Sequence, residues 1–95
     1  MKEYTDQELK QIETYAGLCF TPLQIALILN FNKTEFEQDF HNKQELQDSY
    51  NRGVLLTEAQ VRKATIDLAK GGSSAAYSDY QRLSKNRTLE LKKQK

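Results

Sequence analysis

The sequence predicts an all-α domain of about five helices. Residues typical of helix starts recur along the chain, and apolar residues behind them are spaced three and four apart. Residues 43–70 are compatible with one uninterrupted helix, which ends at Gly71-Gly72. With 95 residues, the chain has room for a single small domain.

The first two helices follow threonine caps. Residues 5–8, Thr-Asp-Gln-Glu, have the form of a capping box and predict a helix over 6–17, with Gly17 as its stop. Thr21-Pro22 is a second start, because proline at the first helical position needs no N–H partner. The nearly continuous apolar run 23–29 predicts a buried helix behind it.

A third short helix completes a helix-turn-helix unit over residues 1–42. Residues 32–35, Asn-Lys-Thr-Glu, form another capping-box pattern, and Phe36 and Phe40 fall on one face of the helix that follows. Three short helices with a tight turn between the second and third are typical of a helix-turn-helix.

The long central helix, predicted over 43–70 behind a capping-box pattern at 42–45, has two apolar stripes. The first should cover the helix-turn-helix and comprises Leu46, Tyr50, Val54, Val61, Ala64 and Leu68. The second suits the last helix or a second subunit and comprises Leu55, Ala59, Ile66 and Ala69. It has more apolar surface than a short final helix can cover, so we predict self-association through it. Gly53 interrupts the pattern, which indicates a kink or a point of close packing.

The C-terminal part is predicted to be a short helix followed by a basic tail. Ser73 or Ser74 can cap the helix, which belongs with the long helix to a segment over 43–84. Residues 85–95 hold five lysines and arginines and little apolar surface, so we expect a flexible tail.

Charge divides the chain. Residues 1–50 carry four lysines and nine carboxylates, a net charge of −5, whereas residues 51–95 carry ten Lys and Arg side chains and four carboxylates, a net charge of +6. A phosphate backbone should therefore be attracted mainly to the second half.

Several functional classes find no support in the sequence. No apolar run is long enough for a membrane span, and no apolar signal region follows Met1, so we expect a cytoplasmic protein. The single histidine, His41, has no Ser/His/Asp set or metal-ligand spacing around it, and Cys19 is expected to be a small buried hydrophobe. We therefore predict neither an enzyme nor a cofactor or metal site.

Double-stranded DNA is the partner that a helix-turn-helix suggests. With Phe36 and Phe40 turned inward, the third helix presents Lys33, Thr34, Glu37, Gln38 and His41, of which Gln38 is suited to read adenine. The carboxylates of the same helix, Glu35, Glu37 and Asp39, would repel DNA phosphates. The alternative is therefore that the motif serves as a scaffold that binds protein. The residues expected to contact DNA are Lys33, Thr34, Gln38, His41, Arg52, Arg82, Lys85 and Arg87.

The sequence also resembles the small terminase subunits of tailed bacteriophages over residues 4 to 83. The segments that resemble this family are 15–18, 21–26, Glu35-Phe36, Asp39-Phe40, Tyr50-Asn51-Arg52-Gly53, Glu58-Ala59, Arg62-Lys63 and 68–76. The resemblance implies a subunit that binds viral DNA, oligomerises, and presents the genome to a large ATPase–nuclease subunit.

By that resemblance, Ile25 and Ala26 belong to the packed first helix of the motif, and Lys33, Thr34 and Gln38 to the DNA-facing helix. The long helix over 43–70 would form the oligomer. The alternative is a phage or prophage structural protein that uses the same fold to bind protein.

Overall fold

The structure, a computed structural model, describes residues 2–93 and confirms the all-α prediction within that range. The helices are α1 (Asp6–Gly17), α2 (Pro22–Ile28), α3 (Lys33–Asn42), α4 (Gln44–Lys70) and α5 (Ser74–Lys93). The chain divides into two compact units, Met1–Glu58 and Ala59–Lys95, and α4 contributes to both. Lys95, assigned to the basic tail above, lies outside the described residues.

The threonine caps form as predicted. The Glu8 N–H donates to Thr5 Oγ1 at 3.1 Å and the Thr5 N–H donates to Glu8 Oε1 at 3.0 Å, and the second bond is the main cause that lowers the pKa of Glu8. At Thr21 the N–H of Gln24 donates to the hydroxyl at 3.2 Å, and the Gln24 side chain accepts the Thr21 N–H at 3.0 Å. Both helix starts are therefore encoded locally.

The other two capping boxes are corrected. Asn32 accepts the Glu35 N–H at 2.9 Å, but the structure gives no reciprocal bond from the Glu35 side chain. The box at 42–45 is wrong, because Asn42 still belongs to α3 and only Lys43 separates α3 from α4. The Lys43 ammonium instead donates to the Lys2 carbonyl at 2.6 Å and so holds the N-terminal segment.

Helix α1 ends at Gly17, as its glycine suggested, and the chain turns at Cys19. Cys19 adopts a left-handed conformation with φ 72°, and the N–H groups of Cys19 and Phe20 donate to the carbonyls of Ala16 and Tyr15. This is a Schellman ending, closed by an edge contact between the rings of Tyr15 and Phe20 at 6.0 Å. The burial expected for Cys19 is wrong: the residue is exposed, because the turn directs it away from the core.

The core of the first unit lies between the three short helices and the start of α4. Phe36 is 1 % exposed and packs against the rings of Phe31 and Phe40, at 5.7 and 6.2 Å. Phe40 in turn contacts Tyr50 of α4, with 5.6 Å between ring centroids. The buried apolar side chains of this core are Tyr4, Ile12, Ala16, Ile25, Ala26, Phe36 and Leu46.

Helix α4 crosses α1 at two glycines. A Cβ on Gly53 would overlap the carbonyl oxygen of Glu13 and lie 3.1 Å from Cβ of Ala16. A Cβ on Gly17 would lie 2.7 Å from Oγ1 of Thr57. Gly53 is thus a close-packing point, the second of the two roles considered from sequence.

Beyond Gly53 the first apolar stripe of α4 departs from the expectation. Leu46 is buried and Tyr50 and Val54 are half-buried, but Ala64 is exposed, and Val61 and Leu68 are 60 % and 61 % exposed. Periodicity identified a continuous face, yet only the part within the first unit packs against the core of the three short helices.

The second unit consists of the C-terminal part of α4 and α5. Gly72, with φ 102°, ends α4, and the Ser73 hydroxyl accepts the Ala76 N–H at 3.2 Å to cap α5. The short final helix expected to end near residue 84 is wrong in length, because α5 continues through most of the predicted tail to Lys93. Among the described residues, no helix has the length and apolar composition needed to span a membrane.

Candidate nucleic-acid interface

Helix α3 presents a polar face whose orientation is fixed by Phe36. The Asn32 cap sets the start of the helix, and burial of Phe36 leaves Lys33, Thr34 and Gln38 exposed. His41 is also exposed, and its ring makes an edge contact with Phe40 at 6.5 Å between centroids. All four α3 residues predicted to contact DNA are therefore exposed to solvent.

One of the three α3 carboxylates that were expected to repel DNA phosphates is not on the surface. Asp39 is 2 % exposed and accepts a 2.8 Å hydrogen bond from the Tyr4 hydroxyl. Burial, and then the hydrogen bond to Asp39, raise the pKa of Tyr4 well above its usual value, so the phenol stays protonated. The exposed carboxylates of α3 are therefore Glu35 and Glu37.

Only one member of the Tyr4–Asp39 pair could be anticipated from sequence. Asp39 lies three residues after Phe36, as expected for a neighbour on the buried side of the helix. Its donor comes from 35 positions earlier in the chain, so no local pattern could identify it.

Arg52 belongs to the contact between α1 and α4. Its Nε lies 4.0 Å from Oε1 of Glu13, and Nζ of Lys10 lies 2.9 Å from Oε2 of the same carboxylate. Glu13 is 8 % exposed and was not singled out from sequence, although it lies four residues after Leu9 and three before Ala16 on the apolar face. The structure thus gives Arg52 a structural partner, separate from the polar face of α3.

The other predicted phosphate contacts lie on α5, in the second unit. Arg82 pairs with Asp79 at 3.3 Å, and Arg87 donates to the Ser84 hydroxyl at 3.4 Å. Arg82, Lys85 and Lys92 are exposed and spaced three and seven residues apart, so they form a stripe along one face of α5. Arg87 lies on another side of the helix, because five residues correspond to well over one turn.

An apolar groove of about 350 Å³ lies between α2 and α3. Pro22 and Leu23 of α2 and Phe36 and Phe40 of α3 line it, with Thr21, Glu37 and His41 also at the groove. The expectation that α2 is buried is wrong: only Ile25 and Ala26 are buried, whereas Leu23, Leu27 and Ile28 are 45 %, 61 % and 44 % exposed. An apolar run indicates that a helix packs against the core, but it does not show how many sides of the helix other elements cover.

The four residues predicted to mediate self-association do not share one environment. Leu55 is 61 % exposed and Ala59 is also exposed. Ile66 and Ala69 are half-buried and line a cavity of about 450 Å³ with Lys70, Tyr77 and Tyr80 in the second unit. Part of the second stripe therefore packs against α5.

Among residues 2–93, no cluster of three or more His, Cys, Asp or Glu side chains is arranged to hold a metal ion. Comparison of the chain with protein-family models, curated proteins and solved structures gave no match. The features that bear on function are therefore the exposed face of α3, the groove and the basic residues of α5.

Proposed function

We propose that this chain is a small-terminase-like DNA-binding subunit that recognises viral DNA for packaging and works with a large ATPase–nuclease subunit. The observation that carries the proposal is the exposed set Lys33, Thr34 and Gln38 on α3, in the position of a recognition helix. In this proposal the protein acts in the cytoplasm of the host cell and is not an enzyme.

The burial of Asp39 supports this proposal. With Asp39 held by Tyr4, the exposed charged groups of α3 before His41 are Lys33, Glu35 and Glu37, so their net charge is −1 rather than −2. Each carboxylate kept away from a phosphate removes a repulsion of about 1 kcal/mol at close range in water. Gln38 can then offer its amide to the N6 and N7 atoms of adenine.

The charge of the second unit supplies the attraction that α3 lacks. Residues 1–58 carry a net charge of −5 and residues 59–95 a net charge of +6. We therefore assign phosphate contacts to Arg82, Lys85 and Arg87, and base contacts to Lys33, Thr34 and Gln38.

The first test replaces Arg82, Lys85 and Arg87 with alanine and measures binding to duplex DNA at several salt concentrations. Binding to all sequences should weaken alike, and each lost phosphate contact should reduce the salt slope by about 0.9. A control variant with Gln81, Asn86 and Thr88 replaced by alanine, on the same exposed helix, should bind like the parent. An unchanged affinity and slope in the first variant would contradict the assignment.

Gln38→Ala should have a different effect. It should reduce discrimination at one base pair by about 1–3 kcal/mol and leave the affinity for unrelated sequences nearly unchanged. A specific duplex can be obtained by selection with the parent protein. Measuring the affinity of Gln38→Ala for this duplex and for an unrelated one distinguishes the two effects. Equal weakening on both would show that Gln38 contributes only to nonspecific affinity.

Self-association through α4 is part of the same proposal. Leu55 and Ala59 are exposed on this helix, as are Val61 and Leu68, and such apolar surface favours contact with a second copy. Light scattering at high micromolar concentration should give a mass above that of one chain, and Leu55→Asp should lower it. A parent mass equal to one chain would contradict this part.

The second candidate function is a phage structural or interaction protein that binds protein. The observation that favours it is the exposed apolar surface of α2, which a DNA-contacting helix does not need. Absence of duplex binding at both low and high salt would favour this candidate over the first.

A further inference from the structure

The groove between α2 and α3 has the chemistry of a docking site for a basic helix. Its lining combines Pro22, Leu23 and two phenylalanine rings with a single carboxylate, that of Glu37. Leu23, 45 % exposed, lies at its α2 side and Glu37 is exposed on α3. An apolar floor with an acidic group beside it suits an apolar anchor flanked by cations.

Helix α5 carries such an arrangement. Arg82, Lys85, Leu89 and Lys92 follow one another at spacings of three, four and three residues and so lie on one face. All four are exposed, and Leu89 is 48 % exposed. This basic ridge therefore presents one leucine between lysines.

The charges of the two units make these surfaces complementary. The unit that contains the groove carries −5 and the unit that contains the ridge carries +6. Opposite potentials accelerate encounter and select orientation, and an apolar anchor then supplies affinity.

We propose that the groove of one copy receives the basic ridge of a second copy, with Leu89 between Leu23 and the phenylalanines and the cations facing Glu37. The contact is heterologous, since each copy uses its groove toward one neighbour and its ridge toward another. It requires neither DNA nor association through α4, and it competes with DNA for Arg82 and Lys85.

The test mixes two full-length variants, each with one of the two surfaces disabled. The acceptor, labelled with ¹⁵N, carries Leu89→Asp and keeps its groove, and the unlabelled donor carries Leu23→Asp and keeps its ridge. Adding donor should shift the amide resonances of Glu37, Phe40 and His41 in the acceptor. Raising salt from about 0.05 M to about 0.5 M should weaken this effect, because the Debye length falls severalfold.

Matched variants identify the surfaces. A donor that also carries Leu89→Asp should bind at least tenfold more weakly, whereas one that carries Leu91→Asp should bind like the original. Leu91 is 56 % exposed on the same helix, but two residues place it on nearly the opposite side from Leu89. Glu37→Lys in the acceptor, a change at an exposed position, should also weaken binding tenfold and be partly rescued by Lys85→Glu in the donor.

No groove shifts at millimolar donor would overturn the proposal. Equal effects of Leu89→Asp and Leu91→Asp in the donor would also overturn it, as would shifts outside the groove with none at Glu37, Phe40 or His41.

Discussion

Replacement of Gly53 by alanine tests the close crossing of α1 and α4 most directly. The added Cβ would overlap the carbonyl oxygen of Glu13 and lie 2.8 Å from its carbonyl carbon and 3.1 Å from Cβ of Ala16. Two of these atoms are backbone, which cannot rotate away as a long side chain can. The helices must therefore move apart and loosen the packing around Ala16.

The expected loss follows from two opposing terms. Overpacking of a well-packed site costs about 1–3 kcal/mol, and the backbone overlap places Gly53→Ala at or above the upper end. Alanine also gains about 1 kcal/mol over glycine inside a helix, which offsets part of the loss. We expect a net decrease of about 2–4 kcal/mol in the free energy of unfolding, against the 5–15 kcal/mol typical of whole proteins.

Urea unfolding followed by circular dichroism gives this free energy, and thermal melting should show a decrease of about 10–30 °C. Gln60→Ala and Gln60→Gly are the matched control pair: this exposed site on α4, to which no contact is assigned, reports the helix-propensity term, and the glycine variant should be about 1 kcal/mol less stable. If Gly53→Ala proves as stable as the parent or more stable, the helices do not approach as closely as described.

Three further predictions concern the core, the Tyr4–Asp39 pair and the residues with positive φ. Phe36→Ala should cost about 3–5 kcal/mol, since the ring is 1 % exposed, and a melting temperature within a few degrees of the parent would contradict its central place. Because burial raises the pKa of Tyr4, the folded state keeps a proton that the unfolded state loses above pH 10, so parent stability should fall with rising pH there by up to about 1.4 kcal/mol per unit. Tyr4→Phe should remove this pH dependence, and it should cost about 1.5–3 kcal/mol at neutral pH because Asp39 loses its donor. If the free energy of unfolding of Tyr4→Phe falls above pH 10 as steeply as that of the parent, Tyr4 is not the group responsible. Cys19→Gly should stabilise the protein by about 1 kcal/mol in urea unfolding, because Cys19 has a left-handed φ of 72°. Asn30→Gly, at φ 60°, should change stability less, because asparagine tolerates this conformation. A loss of stability in Cys19→Gly would contradict this explanation.

The exposed residues of the candidate site could be predicted where they depend on the geometry of a single helix. Placing Phe36 inward is enough to turn Lys33, Thr34 and Gln38 outward, because positions on a helix have fixed angular relations. Arg52 could not be placed in this way, since its partner Glu13 lies on another helix. The groove between α2 and α3 also depends on two elements, and the apolar run of α2 suggested full burial.

The sequence by itself determined the all-α class, the two threonine caps and the bounds of α1, because these depend on residues within a few positions of one another. Tertiary structure alone decided which apolar residues are covered. It buried Asp39 with the Tyr4 hydroxyl as its donor and left Leu23 and Val61 exposed, since burial depends on which other parts of the chain pack against that face. It also gave Gly53 its role, because a close approach exists only between two helices that have already been brought together.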